Sequence, residues 1–289
     1  DEVTTVWVDV EDEVEVDFSY GVGDLCSITD DVWVSPGGAD NNLGTSESQA
    51  FLTIGRAFEM IAPEDNDPVT INLTGGSEID PDIFAPSTTG ENFPILMISN
   101  VNLIGQGEEV TILDAECNEE NPCTVLLLEY CQNNIISGLT ITGGFGLVAN
   151  GGVVTPGGGI GINYSNDISI QNAIIIGNHS VNTGGGIFTN DTYGSDAHVA
   201  SLLNVSVINN SAIWGGGVYA INTSFENVTV SGNSSHDGGG IFSIGSLGLF
   251  KNVIVENNSC EGVGGGIYLW LTNNTDTLDN VIIRNNSAA

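Results

Sequence analysis

The run Asn204-Val-Ser-Val-Ile-Asn-Asn210 recurs as Asn227-Val-Thr-Val-Ser-Gly-Asn233 and Asn252-Val-Ile-Val-Glu-Asn-Asn258. Asn172-Ala-Ile-Ile-Ile-Gly-Asn178 precedes them and Asn280-Val-Ile-Ile-Arg-Asn-Asn286 follows. A second asparagine always stands six places after the first, with apolar residues at the first and third positions between. Two places before the first asparagine the chain reads Ile170, Leu202, Phe225, Phe250 and Leu278. Alternating β-branched residues in short runs, bounded by Gly, Asn and Ser, are strands with one buried face. Stacked copies turn each position into a column, which is the mark of a solenoid.

Between the strand units lie glycine triplets starting at Gly157, Gly184, Gly215, Gly238 and Gly264, at intervals of 27, 31, 23 and 26. Constant strands at irregular intervals mean loops of different length on a regular core. After each triplet comes Ile160, Ile187, Val218, Ile241 or Ile267, then in the last four Phe188, Tyr219, Phe242 or Tyr268. Adjacent strand residues face opposite ways, so the aliphatics point inward and the aromatics outward. Such an aromatic strip either stacks on sugar rings or packs from coil to coil. Leucine-rich repeats share part of this pattern, but their return segments are helical or short turns, and Gly-Gly-Gly-Ile-Phe has no helical period.

The reading is therefore an all-β, right-handed parallel β-helix of about 7–8 coils, about 35–40 Å of stack. Val69-Thr-Ile-Asn-Leu73, Val101-Asn-Leu-Ile-Gly-Gln-Gly107 and Ser137-Gly-Leu-Thr-Ile-Thr-Gly-Gly144 are its weaker early rungs. Ile54, Ala57, Phe58 and Ile61 have helical spacing and make a short cap helix over the first coil. Two asparagine ladders are expected, Asn172, Asn204, Asn227, Asn252, Asn280 and Asn178, Asn210, Asn233, Asn258, Asn286, bonding from coil to coil and satisfying turn backbone. Residues 1–31 form an acidic strand or hairpin segment, 32–68 the opening segment with the cap helix, and 69–289 the β-helix.

The net charge is −34, yet Asp plus Glu number 37, an ordinary share, while Lys plus Arg number three: Arg56, Lys251 and Arg284. A chain starved of cations is a poor partner for nucleic acid, anionic lipid or any polyanion held without metal. Two of the cations have partners in the columns, Lys251 between Glu226 and Asp279 and Arg284 after Glu256. No run of 18 apolar residues offers a membrane span. Of five cysteines, Cys117 and Cys123 bracket a short loop and can close as a disulfide, leaving Cys26, Cys131 and Cys260 with no assigned pairing. Asn-X-Ser/Thr sequences are frequent because the asparagine and serine columns create them.

The stretch Val32-Trp-Val-Ser-Pro-Gly-Gly-Ala-Asp40, followed by Gly44-Thr45 and Thr53-Ile-Gly-Arg-Ala57, resembles the opening of right-handed β-helix proteins of the pectate-lyase-like superfamily. The later Asn-Asn-Ser-Ala and Gly-Gly-Gly-Ile repeats resemble surface-protein β-helices of the polymorphic outer-membrane type. The resemblance implies the fold; the superfamily holds lyases, hydrolases and adhesins, so activity has to be argued from a site. Its lyases use an Arg or Lys near the substrate, commonly with calcium, and its hydrolases use close carboxylates on successive coils. Neither arrangement is evident here, and no catalytic residue is assigned.

Calcium candidates are Asp65 and Asp67 in one acidic loop and Asp80 and Asp82 in another, without EF-hand spacing. His179, His198 and His236 fall at different column positions and make no metal triad. Val6, Val8, Val10, Val14, Val16 and Phe18 occupy even positions while acids fill most odd ones, an amphipathic strand belonging to no coil. With Trp270, Val281 and Ile283 near the other end, it suggests head-to-tail assembly in which one copy's strand covers another's last coil. The expected function is an extracellular structural or adhesive β-helix whose partners are itself, other surface proteins or glycans. The alternative is a glycan-binding or calcium-dependent glycan-cleaving protein.

Overall fold

The computed structural model describes residues 28–65, 67–147, 157–190, 199–244, 249–270 and 277–289. The chain is a parallel β-helix. Its long wall stacks nine rungs: Val32–Val34, Val69–Leu73, Val101–Ile104, Gln132–Thr142, Asn166–Ile176, Ala200–Ile208, Thr223–Glu226 continued by Thr229–Ser231, Leu249–Glu256 and Thr277–Arg284. Every pairing between them is parallel. That exceeds the seven or eight coils expected, because Val32–Val34, assigned by sequence to the opening segment, pairs with Ile71–Leu73 as a rung of the same wall. A second wall stacks seven strands from Ile95–Leu96 to Ile267–Trp270. A third, narrow column runs Phe145, His179, Ser211, Ser234, Ser259, Ser287. Among the described residues no helix is long and apolar enough to cross a membrane.

The long wall bends at its first asparagine column. Pairing runs Gln171↔Leu203 and then Ala173↔Val205, omitting Asn172. Asn172, Asn204, Asn227, Asn252 and Asn280 all have φ between 46° and 56°. The left-handed residue places two consecutive side chains outside and returns Ala173, Val205, Val228 and Val253 to the interior. Asparagine tolerates this region because its short polar side chain bonds locally. In the weaker coil upstream the same corner is Gly138, with φ 69°. The outer amides form a ladder: Asn204, Asn227, Asn252 and Asn280 each donate Nδ2 to the Oδ1 of the asparagine one coil earlier, at 3.0, 3.0, 2.9 and 2.8 Å.

The second ladder is buried and points the other way. Asn178, Asn210, Asn233 and Asn258 donate Nδ2 to the asparagine one coil later, at 3.1, 3.1, 2.9 and 3.0 Å. The same Oδ1 also accepts the backbone N–H of the preceding coil's asparagine, each time at 2.9 Å. The second amide hydrogen goes back to a strand carbonyl, as in Asn233 Nδ2 to Val207 O at 2.9 Å. Each buried asparagine thus settles the polar groups of a tight turn that water cannot reach.

The glycine triplets exist for two reasons. The first of each takes positive φ in four coils, 58° at Gly184 and 64° at Gly215. The second sits against the next coil: a Cβ on Gly216 would lie 2.3 Å from Ser234 O and 2.6 Å from Gly239 O. Inside, the columns are continuous, and Phe225 and Phe250 stack at 4.6 Å with no exposed surface. Full burial of each such side chain contributes roughly 1.5–3 kcal/mol.

The first coil is closed by the chain itself. Phe51 pairs with Val34, Trp33 donates to Gly44 O at 2.8 Å, and the helix α1, Ile54–Met60, buries Ile54 and Ala57. The Thr53 hydroxyl caps it by accepting Arg56 N at 3.0 Å.

Candidate functional site

The four aspartates proposed for calcium do not converge. Asp65 accepts Asn100 Nδ2 at 3.3 Å, Asp82 accepts the Thr74 hydroxyl at 2.5 Å, and Asp67 and Asp80 each sit in a two-residue bridge closed by backbone. Among the described residues no three His, Cys, Asp or Glu side chains gather at a metal-binding distance. Cys117 and Cys123 are joined as a disulfide, with Cα atoms 5.8 Å apart. Cys131 and Cys260 are buried thiols, and burial pushes the Cys131 thiol up. Cys26, His198 and the segment Val6 to Phe18 lie outside the described residues.

All three cations are held in ion pairs. Arg56 meets Glu59 at 2.9 Å on α1, Lys251 meets Glu226 at 2.6 Å, and Arg284 meets Glu256 at 2.6 Å. The Lys251 ammonium is raised chiefly by its hydrogen bond to Glu226. Of the histidines, His179 is half-buried in the third column. Its Nδ1 lies 2.8 Å from Ser211 Oγ, and burial lowers its pKa. A cleft of about 600 Å³ beside it is lined by the hydroxyls of Ser211, Ser234 and Ser259 with His236 and Glu261. Another, of about 520 Å³, lies over α1 between Asp40, Arg56, Glu59 and Glu91. Glu91 is 3% exposed and accepts Ile54 N at 2.5 Å and Gly55 N at 3.2 Å. Desolvation raises its carboxyl above the ordinary value, and these backbone bonds only partly offset that. Sequence reasoning missed it, since 37 residues separate Glu91 from Ile54.

Of the two readings of the aromatic column, the structure shows packing from coil to coil. Phe188 and Phe242 are 1% and 4% exposed, Tyr219 and Tyr268 half-buried. Their rings lie on one another at 5.4, 5.3 and 4.9 Å, and burial pushes the Tyr219 phenol up. Packing from coil to coil removes the ring faces from water, so the column offers no open platform.

An exposed aromatic ring stands elsewhere, at the corner between the second wall and the long wall. Tyr130 and Tyr164 follow equivalent strands, Leu126–Glu129 and Ile160–Asn163, and stack at 5.2 Å with 21° between rings. Tyr130 is 73% exposed. Both are left-handed, φ 56° and 50°, a region costing a bulky residue about 1–2 kcal/mol. Around them stand Glu129, Gln132, Asn133 and Asp167, all exposed, and Asn166, whose Nδ2 bonds Asp167 at 2.9 Å.

At the far end, Leu278 and Ile283 are each 53% exposed, Trp270 is 56% exposed and Val281 half-buried. Their counterparts one coil earlier, Phe250, Val255 and Val253, have no exposed surface.

No family model matches the chain, and no curated protein does. Solved structures match by shape. Pectate lyase Pel9A aligns over 92% of this chain and 80% of its own at a TM-score of 0.52 with 11% identity. Pectin methylesterase PemA from Erwinia chrysanthemi aligns over 83% and 80% at 0.43 with 12% identity. At 11% identity the likeness to Pel9A is one of fold, the parallel β-helix.

Proposed function

We propose that the chain is a non-catalytic, extracellular structural or adhesive β-helix that lengthens by seating a strand from another copy on its last described coil. The observation that carries this reading is the inner asparagine ladder, in which Asn178, Asn210, Asn233 and Asn258 bond to the next coil through side chain and backbone alike. Strand addition to a β-helix coil needs a partner strand with one apolar row and one polar row. Val6, Val8, Val10, Val14, Val16 and Phe18 would supply the inward row, and the acids between them would continue the Glu256–Arg284 column with the charge it calls for. The rigid role is supported by the three cations, each engaged with a carboxylate.

Deleting residues 1–20 tests the assembly: association at high concentration should disappear by sedimentation and microscopy, and filaments that persist unchanged would end the strand-donation reading. Incubation with a polysaccharide panel, with and without calcium, tests the rest. New reducing or unsaturated ends would overturn the non-catalytic reading.

A further inference from the structure

We propose that Tyr130 and Tyr164 form a binding platform for a neutral sugar ring, with the polar side chains of the same corner bonding its hydroxyls. The inference does not depend on assembly and would survive its failure.

Two observations single the pair out. Fifteen non-glycine residues of the described chain have positive φ, and all but Glu116, Tyr130 and Tyr164 are asparagine or aspartate, the types that tolerate it. Two aromatics forced into that region at equivalent places in adjacent coils need a cause that local preference does not supply. Packing does not account for Tyr130. Where this protein stacks aromatics for stability, as at Phe188 and Phe242, it buries them, whereas Tyr130 stays 73% exposed on a half-buried Tyr164.

The chemistry narrows the ligand. Stacked on Tyr164, which backs it, the 73% exposed ring of Tyr130 offers one flat face and not a cage, which suits the apolar face of a pyranose better than a quaternary ammonium group. Gln132 offers donors and an acceptor at the rim, Asn133 and Asn166 offer their Oδ1 while their Nδ2 groups bond Asn100 and Asp167 at 3.1 and 2.9 Å, and Glu129 and Asp167 accept hydrogen bonds from hydroxyls. A net charge of −34, with Arg56, Lys251 and Arg284 all in ion pairs, works against uronate chains and nucleic acid.

The test is calorimetric titration of the whole chain with cellohexaose, mannohexaose and chitohexaose, with oligogalacturonate and choline as comparators. At least one neutral hexasaccharide should bind, and bind more tightly than either comparator. Tyr130→Ala and Tyr164→Ala should each weaken it roughly tenfold or more, as truncating a central aromatic contact does, while Tyr130→Phe keeps the affinity. Tyr130→Gly separates binding from stability: it removes the ring and relieves the left-handed backbone, so binding should vanish with the Tm unchanged or higher. Failure of all three neutral sugars to bind, tighter binding of choline or oligogalacturonate, affinity untouched by the alanine variants, or a lower Tm in Tyr130→Gly would overturn the proposal.

Discussion

The two asparagine ladders run side by side through the same five coils, yet they answer different physical demands. The outer one is exposed and sits where the backbone is left-handed, so asparagine is used there for its conformation. The inner one is buried, 0–1% exposed from Asn178 to Asn258, and is used for its hydrogen bonds, each Oδ1 from Asn210 onward taking two donors from the preceding coil. In sequence the two columns look alike. The difference means that the same substitution should have unequal effects six residues apart.

The largest effect is expected at the inner ladder. Asn233→Leu takes from the Asn210 N–H and the Val207 carbonyl their side-chain partners, and leaves the Asn258 Oδ1 only the backbone N–H of residue 233. Each stranded buried group costs about 1–3 kcal/mol, and the sum should reach about 3–5 kcal/mol. Denaturant unfolding measures it. A loss below about 1 kcal/mol would mean that water reaches this column and that the two ladders are equivalent.

Gly216→Ala tests the wall against which the inner ladder is packed. The added Cβ meets backbone oxygens of Ser234 and Gly239, which cannot swing away as a side chain can, so the coils must separate. A loss of about 2–4 kcal/mol follows from overpacking at backbone. Gly90, with φ 75° and no neighbour within 4 Å of a built Cβ, is the control in which only conformation is at stake.

How much of this could be read from the chain alone depends on repetition. Asn204, Asn227 and Asn252 recur at a fixed distance from a valine pair, so both ladders and the interior were legible. So were the cap helix around Ala57 and the partners of Lys251 and Arg284. The fates of single residues were not. Phe188 and Phe242 alternate as outward residues should, but alternation does not say whether neighbouring rings cover them. Tyr130 and Tyr164 carry no sequence mark of positive φ, because nothing in their local composition favours it. Glu91 reaches α1 only after the chain has closed most of a coil.

Glu91 is a third kind of buried acceptor, satisfied by backbone amides like the inner asparagines but ionisable. Its folded pKa lies above the ordinary 4.5, so the proton binds more tightly to the folded chain. Its contribution to stability is complete below that value and is lost as pH rises through the folded pKa, by roughly 1.4 kcal/mol for each unit of displacement. Glu91→Gln should flatten the part of the pH profile above about 4.5. Melting curves across that range decide it; a slope unchanged by the substitution would assign the acid dependence to the remaining carboxylates.

The smallest effect belongs to the outer ladder, and there the identity of the replacement matters more than the loss of the amide. Asn227 has φ 55° and exchanges exposed hydrogen bonds with Asn204 and Asn252. Asn227→Ala forces a Cβ residue with no local hydrogen bond to keep the left-handed backbone, and about 1 kcal/mol should be lost. Asn227→Gly breaks the same two ladder bonds but accepts the conformation freely, so it should stay within about 0.5 kcal/mol of the parent. If alanine and glycine cost the same, the outer amides would be holding the stack by bonding after all. The bend in the long wall would then owe its place in each coil to the ladder and not to the backbone preference of one residue.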